Sequence, residues 1–381
     1  MPDVKMHVAA LSDVGRARTT NEDAFAITDL ASGQRIESSG TQHAIDVGDR
    51  GVLLALSDGM GGAQAGEVAS ALVVDSVQRA LARGSRGAIA EQLEEAVQRA
   101  NKHVFEAANS ENRQGMGATV IAIFVRGSDA YIAEVGDSRA YLLRNGRLRQ
   151  ITRDQSLVQL MVDQGILTPA EAKHFPSKNV ILQAVGLSPE IRVAIGRLSL
   201  RRGDRFLLCS DGVTNAVSDA ELLQIITQSD PRAACETMIA LANDRGGEDN
   251  QTAIVADVIG DALQVADEFE SVTETYDVLK AYDPTLKGSA GELDAAASGG
   301  RPPPVDESDA IPIASPPPVS GEIESGSNRR AVPEPLQRES ATAIEASATR
   351  TVAPVGSRKM MVIAVAAAVV VALVIVLVLA S

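Results

Sequence analysis

Four short acidic motifs lie at the ends of apolar runs that have the length of buried strands. Asp58-Gly59, Asp137 and Asp211 each follow such a run, and Asp249 precedes one. Each motif alone indicates only a turn, because aspartate can bond nearby backbone and glycine tolerates positive φ. Together they predict more. If the strand ends converge, their carboxylates repel one another, and a bound pair of Mg²⁺ or Mn²⁺ ions would remove that repulsion.

Two neighbouring features fit the same chemistry. Gly59 has no Cβ, so its backbone carbonyl can come close to a metal ion. Arg18 lies shortly before Glu22 and Asp23, and a guanidinium there can hold a phosphate dianion with two parallel hydrogen bonds. The alternative for Arg18 is an exposed ion pair, which contributes little stability.

Composition excludes several other classes of site. The chain has 50 acidic and 35 basic residues and a formal net charge of -15, which argues against nucleic acid as a partner. Two cysteines, Cys209 and Cys235, are too few for a disulfide framework or a cysteine zinc site. Cys209 lies within an apolar run, which predicts an inert core residue rather than a nucleophile.

Periodicity predicts antiparallel sheets sandwiched between pairs of helices. Asn145-Gly146 between apolar runs predicts a type I′ hairpin, and consecutive hairpins give antiparallel pairing. Ser218 with Glu221 and Thr168 with Pro169 and Glu171 predict helix starts, as does Asp230-Pro231. Residues 31–50 are expected to form an extended loop. Strands are predicted at Gly51–Ser57, Thr119–Val125, Tyr131–Val135, Ala140–Arg144, Phe206–Ser210 and Thr252–Val258.

The C-terminal third has a different composition. Residues 284–357 are rich in Pro, Ser, Ala and Gly, which predicts that the segment 261–357 is largely a disordered linker. Residues 360–380 are one apolar run, long enough to form a single transmembrane helix, and Arg358 and Lys359 before it favour the cytoplasmic side. The sequence therefore predicts a membrane-anchored protein whose folded domain is cytoplasmic.

The motifs, taken in order, resemble those of the metal-dependent serine/threonine protein phosphatase family, the PPM or type 2C group, and its bacterial members in particular. The resemblance covers residues 7–260, the predicted domain. It rests on Ser12-Asp13-Val14-Gly15, Arg18, Asn21-Glu22-Asp23, Asp58-Gly59-Met60-Gly61-Gly62, Gly117-Ala118-Thr119, Gly136-Asp137-Ser138-Arg139, Ser210-Asp211-Gly212 and Asp249-Asn250.

The resemblance implies an α+β fold, an α-β-β-α sandwich, with a binuclear Mn²⁺ or Mg²⁺ centre that activates a water to hydrolyse phosphoserine and phosphothreonine. It implies that Asp58 bridges the two ions, with the Gly59 carbonyl on one of them. Further roles follow from the motifs. Asp211 and Asp249 would bind the other ion, Glu22 and Asp23 would act through water, Asp137 would help hold a third ion, and Arg18 would hold the phosphate.

The chain departs from the family pattern at several positions. Met60 stands where eukaryotic members have a histidine that acts as general acid, and Gln155 stands where relatives often have histidine or aspartate. His174 lies in a segment that flanks the active site in relatives, and a surface role is favoured over a catalytic one.

Two alternatives stay open at this point. One is an inactive relative that binds phosphoproteins without hydrolysing them. The other is a membrane adaptor that acts through proline clusters in the linker. For an active enzyme, a membrane position suggests phosphorylated proteins, including membrane serine/threonine kinases, as partners.

Overall fold

Two antiparallel sheets form the centre of the structure, a computed structural model that describes residues 4–36, 39–84, 86–110 and 115–284. All pairings between its named strands are antiparallel. The strands are β1 (Lys5–Asp13), β2 (Asp23–Asp29), β3 (Arg35–Ile36), β4 (Gln42–Asp46), β5 (Val52–Met60), β6 (Gly117–Ala118), β7 (Val120–Arg126), β8 (Asp129–Val135), β9 (Arg139–Arg144), β10 (Arg147–Gln150), β11 (Ala194–Ser199), β12 (Arg205–Cys209), β13 (Gln251–Ile259) and β14 (Tyr276–Lys280).

Helices flank both sheets. One sheet has the strand order β10-β9-β12-β13-β1-β4, and the other has the order β14-β11-β8-β7-β5-β2-β3, with β6 paired to β5 outside that order. The helices are α1 (Ala63–Arg83), α2 (Ile89–Ser110), α3 (Leu157–Asp163), α4 (Pro169–Ala172), α5 (Asp211–Thr214), α6 (Asp219–Gln228), α7 (Pro231–Asp244) and α8 (Val272–Thr275).

The apolar strands have two buried faces because successive side chains of a strand point in opposite directions. In β5, Leu54 and Leu56 pack in the core between the sheets, together with Phe206 of the other sheet. Leu53 and Ala55, from the alternate face, pack in the cluster that includes α1 and α2. A third cluster joins the outer face of the six-stranded sheet to α6 and α7. This four-layer arrangement confirms the predicted sandwich of antiparallel sheets between helices.

The local signals in the sequence are confirmed in the structure. Asn145 and Gly146 take φ values of 51° and 69°, as the hairpin between β9 and β10 requires. Glu171 completes a capping box with Thr168 at the start of α4. The Asp230 side chain accepts a hydrogen bond from the amide of Ala233 at the start of α7.

Three expectations need correction or lie outside the described residues. Residues 31–50 are not one extended loop, because β3 and β4 lie there and pair with β2 and β1. The fold continues past residue 260, since β14 pairs with β11 and so lengthens the larger sheet. Among the described residues no helix is both long and apolar enough to cross a bilayer, and the predicted span at 360–380 lies outside them.

A buried ion pair ties the end of β9 to the turn before β12. Arg144 donates two hydrogen bonds to the carboxylate of Asp204, at 2.7 and 2.6 Å, and a third to the hydroxyl of Thr275. The side chains of Arg144 and Asp204 are 2% and 0% exposed. Burial raises the pKa of Asp204, and the bonds from Arg144 oppose that effect. Removing either partner would leave a charge in the protein interior without compensation.

We therefore expect Asp204→Ala to lower the free energy of unfolding by about 3–5 kcal/mol, because it leaves the Arg144 guanidinium buried and unpaired. Denaturant unfolding of the full-length protein, followed by circular dichroism, measures the change. Asp261→Ala is the control, since it removes the solvent-exposed partner of Arg202 and should change stability little. Equal effects of the two substitutions would contradict this assignment.

Candidate metal centre

The acidic motifs meet at one edge of the sandwich, and both sheets contribute to it. Asp23 at the start of β2 lies directly opposite Asp58 near the end of β5 in the larger sheet. In the other sheet, Asp211 follows β12, and Asp249 precedes the neighbouring strand β13. Asp137 lies in the turn between β8 and β9, a connection between the two sheets.

Polar side chains fix this edge across the gap between the sheets. The Ser210 hydroxyl donates to the Asp23 carboxylate at 2.8 Å and accepts from the amide of Thr252 at 3.0 Å. The Asn250 side chain accepts from the amide of Glu22 and donates to the carbonyls of Val14 and Thr20. The chain around Arg18 is therefore attached to the start of β13, which places the predicted phosphate-binding residue beside the carboxylates.

Thr119 holds Asp58 from the other side. Its backbone amide donates to the Asp58 carbonyl at 2.8 Å, and its hydroxyl accepts from the Asp58 amide at 2.9 Å. The same hydroxyl lies 2.8 Å from that of Ser138. Sequence reasoning gave no role to Thr119, Ser210 or Asn250. The signal was their place in the motifs themselves: Ser210 and Asn250 stand directly beside a carboxylate, and Thr119 lies between β6 and β7, which both pair with β5.

Several buried carboxyl groups lie close together at this site, and their pKa values are raised. Desolvation by the surrounding protein is the main cause that raises the pKa of Asp23 and Asp137 to about 7 and that of Asp211 to about 6. It also holds the pKa of Asp58 well above its ordinary value, and repulsion from Asp23, Asp211, Asp137 and Asp249 adds to the shift. The aspartates that lie far apart in sequence are therefore within electrostatic range of one another.

Several observations indicate that the site is suited to hard divalent cations. The Oδ1 atom of Asp23 is buried and finds no hydrogen-bond partner among the described residues. A Cβ on Gly59 would lie 2.1 Å from the Gly66 carbonyl oxygen and 2.7 Å from that of Glu22, so only glycine brings the chain this close. Carboxylate and carbonyl oxygens of this kind, completed by water, are the ligands of Mg²⁺ and Mn²⁺.

The predicted ligands are close together but are engaged with protein partners. Within residues 4–284, as far as they are described, no group of three or more His, Cys, Asp or Glu side chains is arranged to hold one ion. The two carboxylate oxygens of Asp249 accept from Arg18, at 2.9 Å, and from the amide of Asn250. Asp211 accepts from Asn215 at 3.0 Å. Ion binding would have to replace some of these bonds, and water would complete each shell.

A cleft of about 570 Å³ opens next to this centre. Asp137 and Asp211 line it on one side, and Lys173, His174 and Lys178 from the chain around α4 line it as well. His174 is exposed, as the sequence predicted. Lys178 donates to the side chain of Asn215 at 3.2 Å and lowers the pKa of Asp211 by its charge, although desolvation is the larger effect and raises it.

The cysteines take no part in this chemistry. Cys209 and Cys235 are buried in the core beneath α6 and α7, and burial raises the pKa of each thiol to about 12. A thiol that stays protonated at neutral pH is a poor nucleophile.

Comparison with known proteins shows that this chain is similar to serine/threonine phosphatases. A sequence model described as protein phosphatase 2C matches residues 40–246. The serine/threonine protein phosphatase PstP of Mycobacterium tuberculosis is 37% identical over 255 residues, which are 67% of this chain and 45% of that protein. The chain thus spans less than half of PstP. The serine/threonine phosphatase stp of Listeria innocua is 34% identical over 258 residues, 66% of this chain and 96% of the relative.

Solved structures of serine/threonine phosphatases are similar to this chain as well. The PstP catalytic domain in complex with two manganese ions superimposes with a TM-score of 0.57 and 36% identity, covering 67% of this chain and 99% of that one. The phosphatase Stp1 of Staphylococcus aureus superimposes with a TM-score of 0.58 and 30% identity, covering 66% and 95%.

The raised pKa values predict how stability depends on pH. Without metal, Asp23, Asp137 and Asp211 keep protons in the folded state that they lose when the protein unfolds. Their contribution to the free energy of unfolding is therefore fully present below about pH 4 and is lost as pH rises through 6–7. We expect the unfolding temperature in EDTA to fall from pH 5 to pH 8. With saturating Mg²⁺ the fall should be smaller, because the ions stabilise the charged carboxylates. Calorimetry at four pH values measures both slopes, and identical slopes with and without Mg²⁺ would contradict a metal site here.

Proposed function

Because this chain belongs to the protein phosphatase 2C family, we propose that its folded unit is a metal-dependent enzyme that hydrolyses phosphoserine and phosphothreonine in proteins. The observation that carries the proposal is the meeting of carboxylates from both sheets at one edge, with Asp58 directly opposite Asp23. A crowded set of carboxylates beside an arginine suits a site that binds two cations and a phosphate dianion.

We assign the ligands by the match of these motifs to those of the family. Asp58 and the carbonyl of Gly59 would hold one Mn²⁺ or Mg²⁺ ion, and Asp58, Asp211 and Asp249 the other. Glu22 and Asp23 would act through water, and Asp137 would help to hold a third ion. When bound, such ions supply Lewis-acid catalysis, by which they make water a better nucleophile and neutralise charge on the phosphate.

The protein's own residues position the reactants. Arg18 is half exposed and uses one nitrogen to bind Asp249, so its remaining donors can bind the non-bridging oxygens of a phosphate. Asn250 fixes the backbone just before and just after Arg18, which limits the freedom of the guanidinium. This arrangement lets Arg18 orient the phosphate toward the carboxylate edge.

An inactive phosphoprotein-binding relative is the second candidate for the folded unit. Loss of catalysis in such a protein should leave gaps in the ligand set, yet Arg18, Asp58, Asp211 and Asp249 are all present and lie together. We therefore favour the enzyme.

We further propose that residues 360–380 anchor the enzyme in the cell membrane as a single span, with the domain on the cytoplasmic side and 285–357 as a spacer. The support is the apolar run with Arg358 and Lys359 before it. This position would favour phosphorylated proteins at the membrane, among them serine/threonine kinases, as substrates. A membrane adaptor that works through the proline clusters remains the alternative for the linker.

Removal of a carboxylate that is assigned to the metal ions should stop the reaction. We expect Asp58→Asn and Asp211→Asn each to lower the release of phosphate from a phosphothreonine peptide with Mn²⁺ by more than about 100-fold, because even outer-shell changes at metal sites cost 10–100-fold. EDTA should abolish turnover and added Mn²⁺ restore it, while Asp261→Asn, at an exposed position, serves as control. Near wild-type turnover in either site variant would refute the ligand assignment. A wild-type protein without turnover would favour the inactive relative.

The anchor is tested by truncation. A chain ending at Ser357 should keep the specific activity of the full-length protein and remain in the supernatant after membranes are sedimented, because it lacks the apolar run. A matched variant that keeps 358–381 and carries a scrambled 285–357 should still sediment and act normally if the linker is a spacer. Sedimentation of the truncated chain would refute the anchor, and loss of function on scrambling would favour the adaptor.

A further inference from the structure

Gln155 is a buried polar residue next to the candidate metal centre. It is 1% exposed and lies between β10 and α3. Its side-chain Oε1 accepts from the amide of Gly136 at 2.9 Å, and its backbone amide donates to the carbonyl of the same glycine at 2.9 Å. Gln155 therefore holds both polar groups of the residue that directly precedes Asp137.

The turn that Gln155 holds has little room to move. Gly136 takes a φ of 108°, and a Cβ there would lie 2.7 Å from the side chain of Thr119. Thr119 in turn bonds the amide and the carbonyl of Asp58. Continuous contacts thus run from Gln155 through Gly136 and Thr119 to Asp58. A shift of Gln155 would be transmitted to two of the proposed ligand residues, Asp58 and Asp137.

Gln155 also joins the two ends of the chain segment 156–181. Its carbonyl accepts from the amide of Leu182 at 2.7 Å, and its Oε1 accepts from Gln183 Nε2 at 2.8 Å. Gln183 is held in the opposite direction by two bonds to the backbone of Arg192. Beside these contacts, Ser156 forms an isolated bridge with Ile181. The segment that starts and ends here carries Lys173, His174 and Lys178 into the cleft.

We propose that Gln155 is a positioning residue that fixes Asp137 and both ends of the segment 156–181 relative to one another. It thereby sets the distance across the cleft between the carboxylate edge and the part of this segment that lines the cleft. The inference rests on the proposed phosphatase function. One carboxamide oxygen serves both Gly136 and Gln183, so the two attachments cannot shift independently. The side chain does not touch the substrate, and its effect on the reaction would be indirect.

The decisive substitution is Gln155→Met, which keeps the length of the side chain and removes the carboxamide. It leaves the buried Gly136 amide without its side-chain acceptor and Gln183 Nε2 with the Arg192 carbonyl alone, and an unsatisfied buried donor strongly favours local rearrangement. Hydrogen exchange of the full-length protein in detergent micelles with EDTA should speed up at least 10-fold at residues 136–137 and 156–182. Exchange in β1 and β13 should stay as in the wild type, because these strands lie outside the contacts that run from Gln155 to Asp58.

A second readout concerns the metal. With the phosphothreonine peptide, we expect Gln155→Met to raise the Mn²⁺ concentration needed for half-maximal activity at least 10-fold, since Asp137 is no longer held in place. Gln155→His, which restores one nitrogen acceptor for the Gly136 amide, should recover most of the lost activity and protection. Gln98→Met is the matched control, because it removes a carboxamide bond to the Ile191 carbonyl, away from Asp137.

Gln183→Met keeps the proposal testable if Gln155→Met does not fold. It breaks the bond from Gln183 to Gln155, together with the two bonds to the Arg192 backbone, but leaves Gln155 bound to Gly136, so exchange should quicken at 156–182 while Gly136 stays protected. Unchanged exchange in Gln155→Met, or in Gln183→Met if only that variant folds, would overturn the proposal. So would an exchange increase spread evenly over the whole fold. A wild-type protein with no turnover would refute the phosphatase function alone, since the exchange experiment in EDTA is independent of catalysis.

Discussion

Burial of several aspartates at one edge of the sandwich is the constraint on which the rest of the structure depends. Desolvation disfavours the charged forms of Asp58, Asp23, Asp211 and Asp137, and repulsion from neighbouring carboxylates adds to that cost. Such an arrangement destabilises the fold unless protons or cations compensate it. The apolar layers on both faces of each sheet supply the stability that keeps these groups in place.

Each of the two sheets contributes carboxylates to this edge. The larger sheet contributes Asp23 and Asp58 from adjacent strands, so backbone pairing alone fixes their separation. The smaller sheet contributes Asp211 and Asp249, and side chains such as Ser210 and Asn250 then connect the two sheets. Residues that hold the ligands thus matter as much as the ligands, because carboxylates on separate sheets would otherwise move independently.

Elements outside the resemblance also belong to the folded unit. Tyr276, at the start of β14, donates from its phenol to the carbonyl of Ile151 at 2.9 Å, and Arg201 binds Glu270 with two hydrogen bonds. The first contact attaches the chain after residue 260 to the segment that leads to Gln155, and the second attaches it to the turn between β11 and β12. The edge strand β14 therefore supports the same part of the structure that frames the cleft.

The layers, the turns and the chemical type of the site could be inferred from the amino-acid sequence, because these depend on neighbours in the chain. Alternating burial in Leu53–Leu56, the Asn145-Gly146 turn and the carboxylates at strand ends could all be predicted locally. The meeting of those carboxylates, the pairing of β4 with β1 and of β14 with β11, and the role of Gln155 could not. Each of these is a contact between residues distant in sequence. Strand register and packing decide such contacts, and a short edge strand or one buried glutamine leaves little periodic signal in the chain.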